Sequence, residues 1–364
     1  MSEKTLRGAV LRAAHAPLTI EDVELYAPGP GRVRVRIAAS GVCHSDLSLI
    51  DGSMPQPMPA VLGHEGAGVV TELGPGVTSP VVGEHVILSW IAPCRACAAC
   101  LRGQPTLCER GMDHAFAGPY ATANGDPVMA ALGTATFAEE TVVPATAAIP
   151  IPHDFPLALA SLVGCGVVTG VGAVVNTAAV RPGETVAIVG CGGVGLAAVQ
   201  GARLSGASRV IAVDRVAAKL GMAKANGATD TVDASEVDAV AAVRDLVPGG
   251  TDHALEVVGS SATILAAYGM ARRGGAVTIV GAGRFDDQVT FPVLGLMVDS
   301  KRVQGSVYGA ADPARDFPRM LALHRSGRLD LERLVTRRIA LDDVNDAFRA
   351  MTAGEVARSV IVFD

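Results

Sequence analysis

Val186-Ala187-Ile188-Val189-Gly190-Cys191-Gly192-Gly193-Val194-Gly195 decides how this 364-residue chain folds. Four consecutive apolar residues suit a strand buried on both faces, and a glycine-rich turn and an alanine-rich helix pattern follow directly. Glycines at these positions let the backbone approach a pyrophosphate at a helix N-terminus, where free N–H groups and the helix dipole favour negative charge. The next apolar strand, Val210-Ile211-Ala212-Val213, runs into Asp214, 24 residues beyond Gly190. An acidic side chain there accepts hydrogen bonds from an adenosine ribose and repels a 2′-phosphate. The stretch therefore predicts a dinucleotide site that prefers NAD to NADP, with Gly190, Gly192, Gly193, Val194 and Gly195 at the pyrophosphate and Asp214 at the ribose. Arg215, next along, pulls the other way, since an arginine there can face a phosphate. Cys191, inside the loop, reads as a small buried thiol that fills space.

Outward from this unit the chain has two textures. After about residue 155, short apolar strands alternate with alanine-rich helices, Ala276-Val277-Thr278-Ile279-Val280 being a further strand, which predicts a parallel sheet covered on both faces. Before it, Val33-Arg34-Val35-Arg36-Ile37 alternates with period two, and Gly66-Ala67-Gly68-Val69-Val70 and Glu84-His85-Val86-Ile87-Leu88 lie between Gly/Pro turns. These predict a β-rich lobe carrying loops. The last fifty or so residues, with a helix around Asp343 to Thr352 and a strand Ser359-Val360-Ile361-Val362, return to that lobe. The class is α/β in two domains, the number the chain length suggests.

A net charge of −6 offers no basic footprint for nucleic acid. The first thirty residues lack the charged, apolar and cleavable parts of a signal peptide. The apolar stretch Leu162 to Val180 contains Gly164, Gly166, Gly170, Gly172, Thr169, Asn176 and Thr177, and is expected to be a buried helix rather than a membrane span. The arginines in 333–338 read as solvated surface. Seven cysteines, an odd number in tight spacing, suit thiolate ligands in a reducing compartment, so the cytoplasm is expected.

Four of those cysteines, Cys94, Cys97, Cys100 and Cys108, fall within fifteen residues. Their spacing brings four thiolates around one ion, and a closed all-sulfur tetrahedron is a structural zinc site with no position open to substrate. The first three have ferredoxin-like spacing, but that pattern ends four residues on in Cys-Pro, whereas here Cys108 lies eight residues on and precedes Glu109. Zinc is the better reading.

Gly41-Val42-Cys43-His44-Ser45-Asp46, Gly63-His64-Glu65-Gly66, the four-cysteine lobe, Gly164-Cys165-Gly166 and the nucleotide loop occur in the order seen in the zinc-dependent medium-chain alcohol dehydrogenases, which the whole chain resembles. The resemblance implies a GroES-like catalytic domain (1–165 and 309–364, with the structural zinc lobe at 94–108), a Rossmann domain (166–308), and an active site in the cleft between them. It makes Cys43, His64 and Cys165 the ligands of a catalytic zinc, for two Zn2+ per subunit. Asp46 is implied to orient His64, and Glu65 to be the acid behind the metal. Ser45 resembles the hydroxyl that takes the alcohol proton. Many members carry a histidine three residues further on to complete a proton relay; here that position is Ser48, which passes a proton but is no base near neutrality. His44 and Arg358 are implied at the coenzyme pyrophosphate, Lys219 at the ribose, and Thr169 among the coenzyme contacts.

For substrate, Trp90 falls where the family lines its alcohol pocket, and the loop from Glu109 to Ala131 overhangs the same site, with Met54, Met112 and Phe116 as candidate walls. An apolar pocket for a primary alcohol or aldehyde is expected. The region from Arg315-Asp316-Phe317-Pro318 to Leu341-Asp342-Asp343-Val344 is similar to the class III branch, particularly mycothiol-dependent formaldehyde dehydrogenases. Glutathione-dependent relatives place an arginine and an acid on the pocket rim, near where Met112 and Met54 fall. This departure argues against glutathione and leaves mycothiol open. The long loop resembles that of dimeric members, and residues around Phe291 to Val303 are expected to continue the Rossmann sheet into a partner, so a homodimer is expected.

Overall fold

The computed structural model describes residues 2–116, 118–122 and 125–363. Two compact units form: residues 1–165, 312–322 and 335–364 make one, and residues 166–311 and 323–334 the other. The sequence boundary gave all of 309–364 to the first unit, but 309–311 and 323–334 group with the second. Gln200 on the helix Gly193–Leu204 is buried and finds its partners there: its Nε2 donates to the Asp330 carbonyl at 2.9 Å, and its Oε1 accepts from the Asp330 N–H at 2.7 Å. Arg333 adds a hydrogen bond to the Ala225 carbonyl.

In the first unit the strands Ser2–Leu11, Thr19–Tyr26, Tyr120–Ala121, Pro127–Ala130 and Ala60–Val61 close a barrel. A seven-stranded sheet is built around Arg32–Gly41, which pairs with Glu65–Leu73, Glu140–Pro144 and Arg358–Val362. Its period-two pattern buries Val33, Val35 and Ile37 against Val70, Val86, Leu88 and Val143. The register then matters for function. Gly41, at the end of this strand, pairs with Glu65 on one side and Val360 on the other, so Cys43, Glu65 and Arg358 converge at one end of the sheet.

The second unit holds a six-stranded all-parallel sheet, ordered Asp230–Asp233, Arg209–Asp214, Thr185–Val189, Thr251–Glu256, Ala271–Ile279, Arg302–Gly305. This is the dinucleotide-binding order, and it reverses between Thr185–Val189 and Thr251–Glu256. The apolar strands carry Ala187, Val189, Ile211, Val213, Ala254 and Val277 into the core. The apolar helix Leu157–Ala178 is long enough to cross a membrane, and 83% of its most apolar window is buried in the protein. Residues around Phe291 to Val303 differ from expectation. Most of them form the helix Val293–Asp299, which has no buried residue, and the sheet gains only the outer strand Arg302–Gly305.

Candidate active site

Three chain segments deliver donors to one point in the first unit. Cys43 caps the helix His44–Ile50, His64 and Glu65 open the strand Glu65–Leu73, and Cys165 sits on the apolar helix. The ligand atoms of Cys43, His64, Glu65 and Cys165 all lie within 4.8 Å of one another, and all four residues are buried. Two glycines permit the approach. A Cβ on Gly41 would stand 2.1 Å from Glu65 Oε2, and one on Gly164 would stand 2.9 Å from the Leu88 carbonyl oxygen.

The imidazole is held by its far nitrogen. His64 Nδ1 lies 3.1 Å from Asp46 Oδ1, which also accepts the Gly63 N–H at 3.0 Å, so Nδ1 is assigned the proton. His64 Nε2 is then the nitrogen left for a metal, buried with no nitrogen or oxygen partner and lying against the Cys43 sulfur. An orphaned ring nitrogen beside two sulfurs, with a carboxylate fixing the other nitrogen, is a donor set that fits zinc.

Charges at the cluster are strongly coupled. The hydrogen-bonded Cys165 thiol, together with the Arg358 and His64 charges, holds the Cys43 thiol well below its ordinary range, while the same contact and burial push Cys165 up. Burial opposes the His64 imidazolium, but Asp46 and Cys43 outweigh it and raise its pKa. Burial pushes the Glu65 carboxyl up to about 8 against the pull of Arg358.

The second cluster is Cys94, Cys97, Cys100 and Cys108, again with donors within 4.8 Å of one another. The Cys94 N–H donates to Cys108 Sγ and the Cys97 N–H to Cys94 Sγ, both at 3.3 Å. The N–H groups of Cys100 and Glu109 bring Cys97 down to about 6, whereas burial and the neighbouring sulfurs push Cys100 up to about 12. Such a set fits a metal bound by four thiolates, with no other donor to exchange. Arg95, in the left-handed region at φ 59°, anchors the lobe by a two-pronged ion pair to Asp312 at 2.7 and 2.9 Å.

In the second unit the glycine loop has the shape its chemistry requires. Gly190 has φ 98°, and a Cβ on Gly195 would stand 1.9 Å from the Gly190 carbonyl oxygen, so neither tolerates a side chain. A Cβ on Gly192 would meet nothing within 4 Å: the loop leaves a backbone cradle ahead of the helix Gly193–Leu204. Asp214 closes the loop from the neighbouring strand, accepting the Cys191 N–H at 2.7 Å and the Val216 N–H at 3.0 Å. Lys219 is half-buried on the helix Ala217–Ala225, and its charge reaches Cys191 with that of Asp214. Thr169 is buried, and its neighbour Gly170 packs without room for a Cβ, 2.3 Å from the Val194 carbonyl oxygen.

Comparison with known proteins identifies the family. Residues 29–153 match the alcohol dehydrogenase GroES-like domain, and residues 193–326 match the zinc-binding dehydrogenase domain. S-(hydroxymethyl)glutathione dehydrogenase of Escherichia coli is 38% identical over 98% of this chain and 99% of its own. The chain belongs to the zinc-dependent medium-chain alcohol dehydrogenases. Geraniol dehydrogenase of Castellaniella defragrans is 37% identical over 98% of this chain and 97% of its own. Among solved structures, benzyl alcohol dehydrogenase of Acinetobacter calcoaceticus superposes with a TM-score of 0.93 at 32% identity, covering all of both chains.

The other family positions are less uniform. Ser45 Oγ is 4.0 Å from Cys43 Sγ, and His44 is exposed. Trp90 is half-buried two residues beyond Leu88, whose carbonyl lies against Gly164. Met54 packs against the first unit's core; Met112 is half-buried, and the side chain of Phe116 lies outside the described residues, as do residues 117, 123 and 124 of the long loop. Arg358, implied at the coenzyme pyrophosphate by family likeness, has protein partners in the first unit. Only 5% exposed, its guanidinium pairs with Glu65 at 3.2 Å, donates to the Val42 carbonyl at 3.2 Å and flanks the Cys43 sulfur, because strand pairing brings its backbone next to Gly41. The close approach at Gly41 was also unread in the sequence; a glycine directly before Val42-Cys43 was the signal available.

Proposed function

We propose that the protein is an NAD-dependent zinc alcohol dehydrogenase that moves a hydride between primary apolar or aromatic alcohols, or their aldehydes, and the coenzyme. The observation that carries this is His64 Nε2, oriented by Asp46 and turned to Cys43 and Cys165. Those three residues would hold a catalytic zinc and leave a position open for the alcohol oxygen; Cys94, Cys97, Cys100 and Cys108 would hold a second, structural ion. Zinc bound at the open site supplies Lewis acidity that lowers the pKa of an alcohol hydroxyl. Ser45 receives the hydroxyl proton and Ser48 passes it toward solvent, so the relay ends in water rather than on an imidazole. Asp46 keeps His64 in one tautomer, and Arg358 balances the thiolates and Glu65. Gly190, Gly192, Gly193, Val194 and Gly195 bind the pyrophosphate, Asp214 and Lys219 the adenosine ribose, and Thr169 and His44 make further coenzyme contacts. In this reading residues 1–165 with the C-terminal segments are the catalytic domain, and the second unit is the NAD-binding domain.

Trp90 and the names of the geraniol and benzyl alcohol relatives support a bulky apolar substrate. A second reading is a thiol-dependent formaldehyde dehydrogenase acting on an S-hydroxymethyl adduct of mycothiol; the E. coli relative, named for the glutathione adduct, supports the thiol-adduct chemistry and not the choice of thiol. Steady-state kcat/KM for benzyl alcohol, geraniol, short alcohols, and formaldehyde with and without mycothiol separates the two. Turnover of benzyl alcohol or geraniol without thiol is expected; formaldehyde oxidation only in the presence of mycothiol, with simple alcohols inert, overturns the first reading. Homodimer formation is supported by the helix Val293–Asp299, whose Val293, Leu294, Met297 and Val298 are solvent-exposed beside the outer strand Arg302–Gly305. Two thiolate clusters support a reducing, cytoplasmic setting.

A further inference from the structure

Two imidazoles outside the active site are brought together by strand register. His85 opens the strand His85–Leu88, which pairs antiparallel with the edge strand Ala148–Ile151 so that His85 faces Ile151. His153 lies two residues beyond Ile151, so it returns to the same face and stands diagonal to His85, a spacing that long and aromatic side chains span. The turn that carries it is fixed: the Phe155 N–H donates to the Pro152 carbonyl at 3.1 Å, and the Phe155 side chain is buried. On its other side His85 pairs with Val69, and Val69 with Arg36. That row lies toward solvent, whereas the alternating neighbours Val35, Ile37, Val70 and Val86 fill the core.

The two rings meet with centroids 4.7 Å apart and planes inclined by 49°. Zinc binds an imidazole nitrogen at about 2.0–2.1 Å with the ring centre about 1.1 Å behind, so two rings sharing one ion at about 90–110° have centroids about 4.5 to 5.2 Å apart. The pair already stands at that separation. His85 Nδ1 is also buried without a hydrogen-bond partner among the described residues. A buried ring nitrogen seldom stays unpaired, and with the proton on Nε2 it carries a lone pair able to ligate a metal. Burial, helped by the His153 and Arg36 charges, holds His85 below its ordinary pKa range and keeps the ring neutral at pH 7. His153 is exposed, so its ring can turn to present either nitrogen. Arg36, exposed on the same row, has no acceptor or lone pair to offer, and its charge opposes a bound cation and limits the affinity.

We propose that His85 and His153 form a further metal site, an imidazole pair for a divalent late transition ion such as Ni2+, Cu2+ or Zn2+, with water in the remaining positions. Imidazole suits these ions, and none of the cysteine donors contributes. The site is open to exchange at the surface, unlike the two cysteine clusters, and does not depend on the coenzyme or substrate reading. The untagged, zinc-loaded full chain, cleared of loosely held metal on a chelating resin, is titrated with Ni2+ by calorimetry, and its zinc content is measured before and after. One Ni2+ per subunit is expected to bind with no zinc lost. His85→Gln and His153→Gln should each weaken that binding by roughly tenfold or more, since each removes one of two protein ligands. Ni2+ should also raise the Tm of the wild type and of neither variant. His153 is exposed, so His153→Gln leaves the fold intact and decides the matter alone should His85→Gln fail to fold. Nickel uptake unchanged in His153→Gln would place the ion elsewhere and overturn the proposal. Nickel bound only as zinc leaves, or no nickel bound at all, overturns it equally.

Discussion

Asp46 and His64 are joined by a buried 3.1 Å contact from Oδ1 to Nδ1, and the same carboxylate oxygen accepts the N–H of Gly63, the residue before His64. One side chain thereby fixes both the ring and the backbone that carries it. Asp46→Ala frees the imidazole to rotate and is expected to weaken zinc binding at the Cys43 site by roughly 10- to 100-fold. Competition with a chromogenic chelator measures this, and an unchanged affinity would show that packing alone orients His64.

The two metal clusters should fail differently. Elemental analysis is expected to find two zinc ions per subunit. Cys43→Ser should lose one zinc and nearly all activity with a small change in Tm, whereas Cys97→Ser should lose the other together with stability. A single zinc in the wild type, or iron, contradicts this assignment.

Coenzyme choice should follow Asp214. Asp214→Gly removes the charge that opposes a 2′-phosphate and also the acceptor of the Cys191 N–H. The ratio of kcat/KM for NADP to that for NAD is expected to rise by roughly 10- to 100-fold, with NAD activity itself reduced. A wild type that already favours NADP would mean Arg215 dominates the strand end.

Trp90 should limit substrate size. Trp90→Ala is expected to shift kcat/KM toward bulkier alcohols by about one order of magnitude, two at most, the scale of a few kcal/mol of apolar contact. The same preference in wild type and variant would remove Trp90 from the pocket.

His114 offers a stability test independent of the metals. It is 5% exposed, and burial, helped by the Arg32 charge, pushes its pKa down to about 4. As pH falls below about 6.5 the unfolded chain takes up a proton that the folded imidazole refuses, so stability should fall progressively down to pH of about 4, by up to about 3 kcal/mol. Urea unfolding of wild type and His114→Gln at several pH values checks this; parallel pH curves would exclude His114 as the source.

The sequence by itself determined what local pattern and covalent order can encode. Period-two alternation at Val33 to Ile37, apolar strands separated by helices after residue 155, glycines at 190, 192 and 195, and cysteines three apart each act within a few residues, so their chemistry survives without the fold. Contacts set by strand register were decided only by the tertiary structure. Family likeness implies a place for Arg358 at the coenzyme, but only the pairing of Val360 with Gly41 puts it beside Glu65, 293 residues away in sequence, where it is a buried counter-charge to the thiolates. Residues 323–334 belong to the second unit because the buried amide of Gln200 needs the backbone of Asp330, a demand no periodicity announces. Glu256 carries no mark in the sequence; folding buries it and turns three donors onto one oxygen. A buried polar group must find its partners wherever the chain brings them, and that long-range matching is what local sequence does not carry.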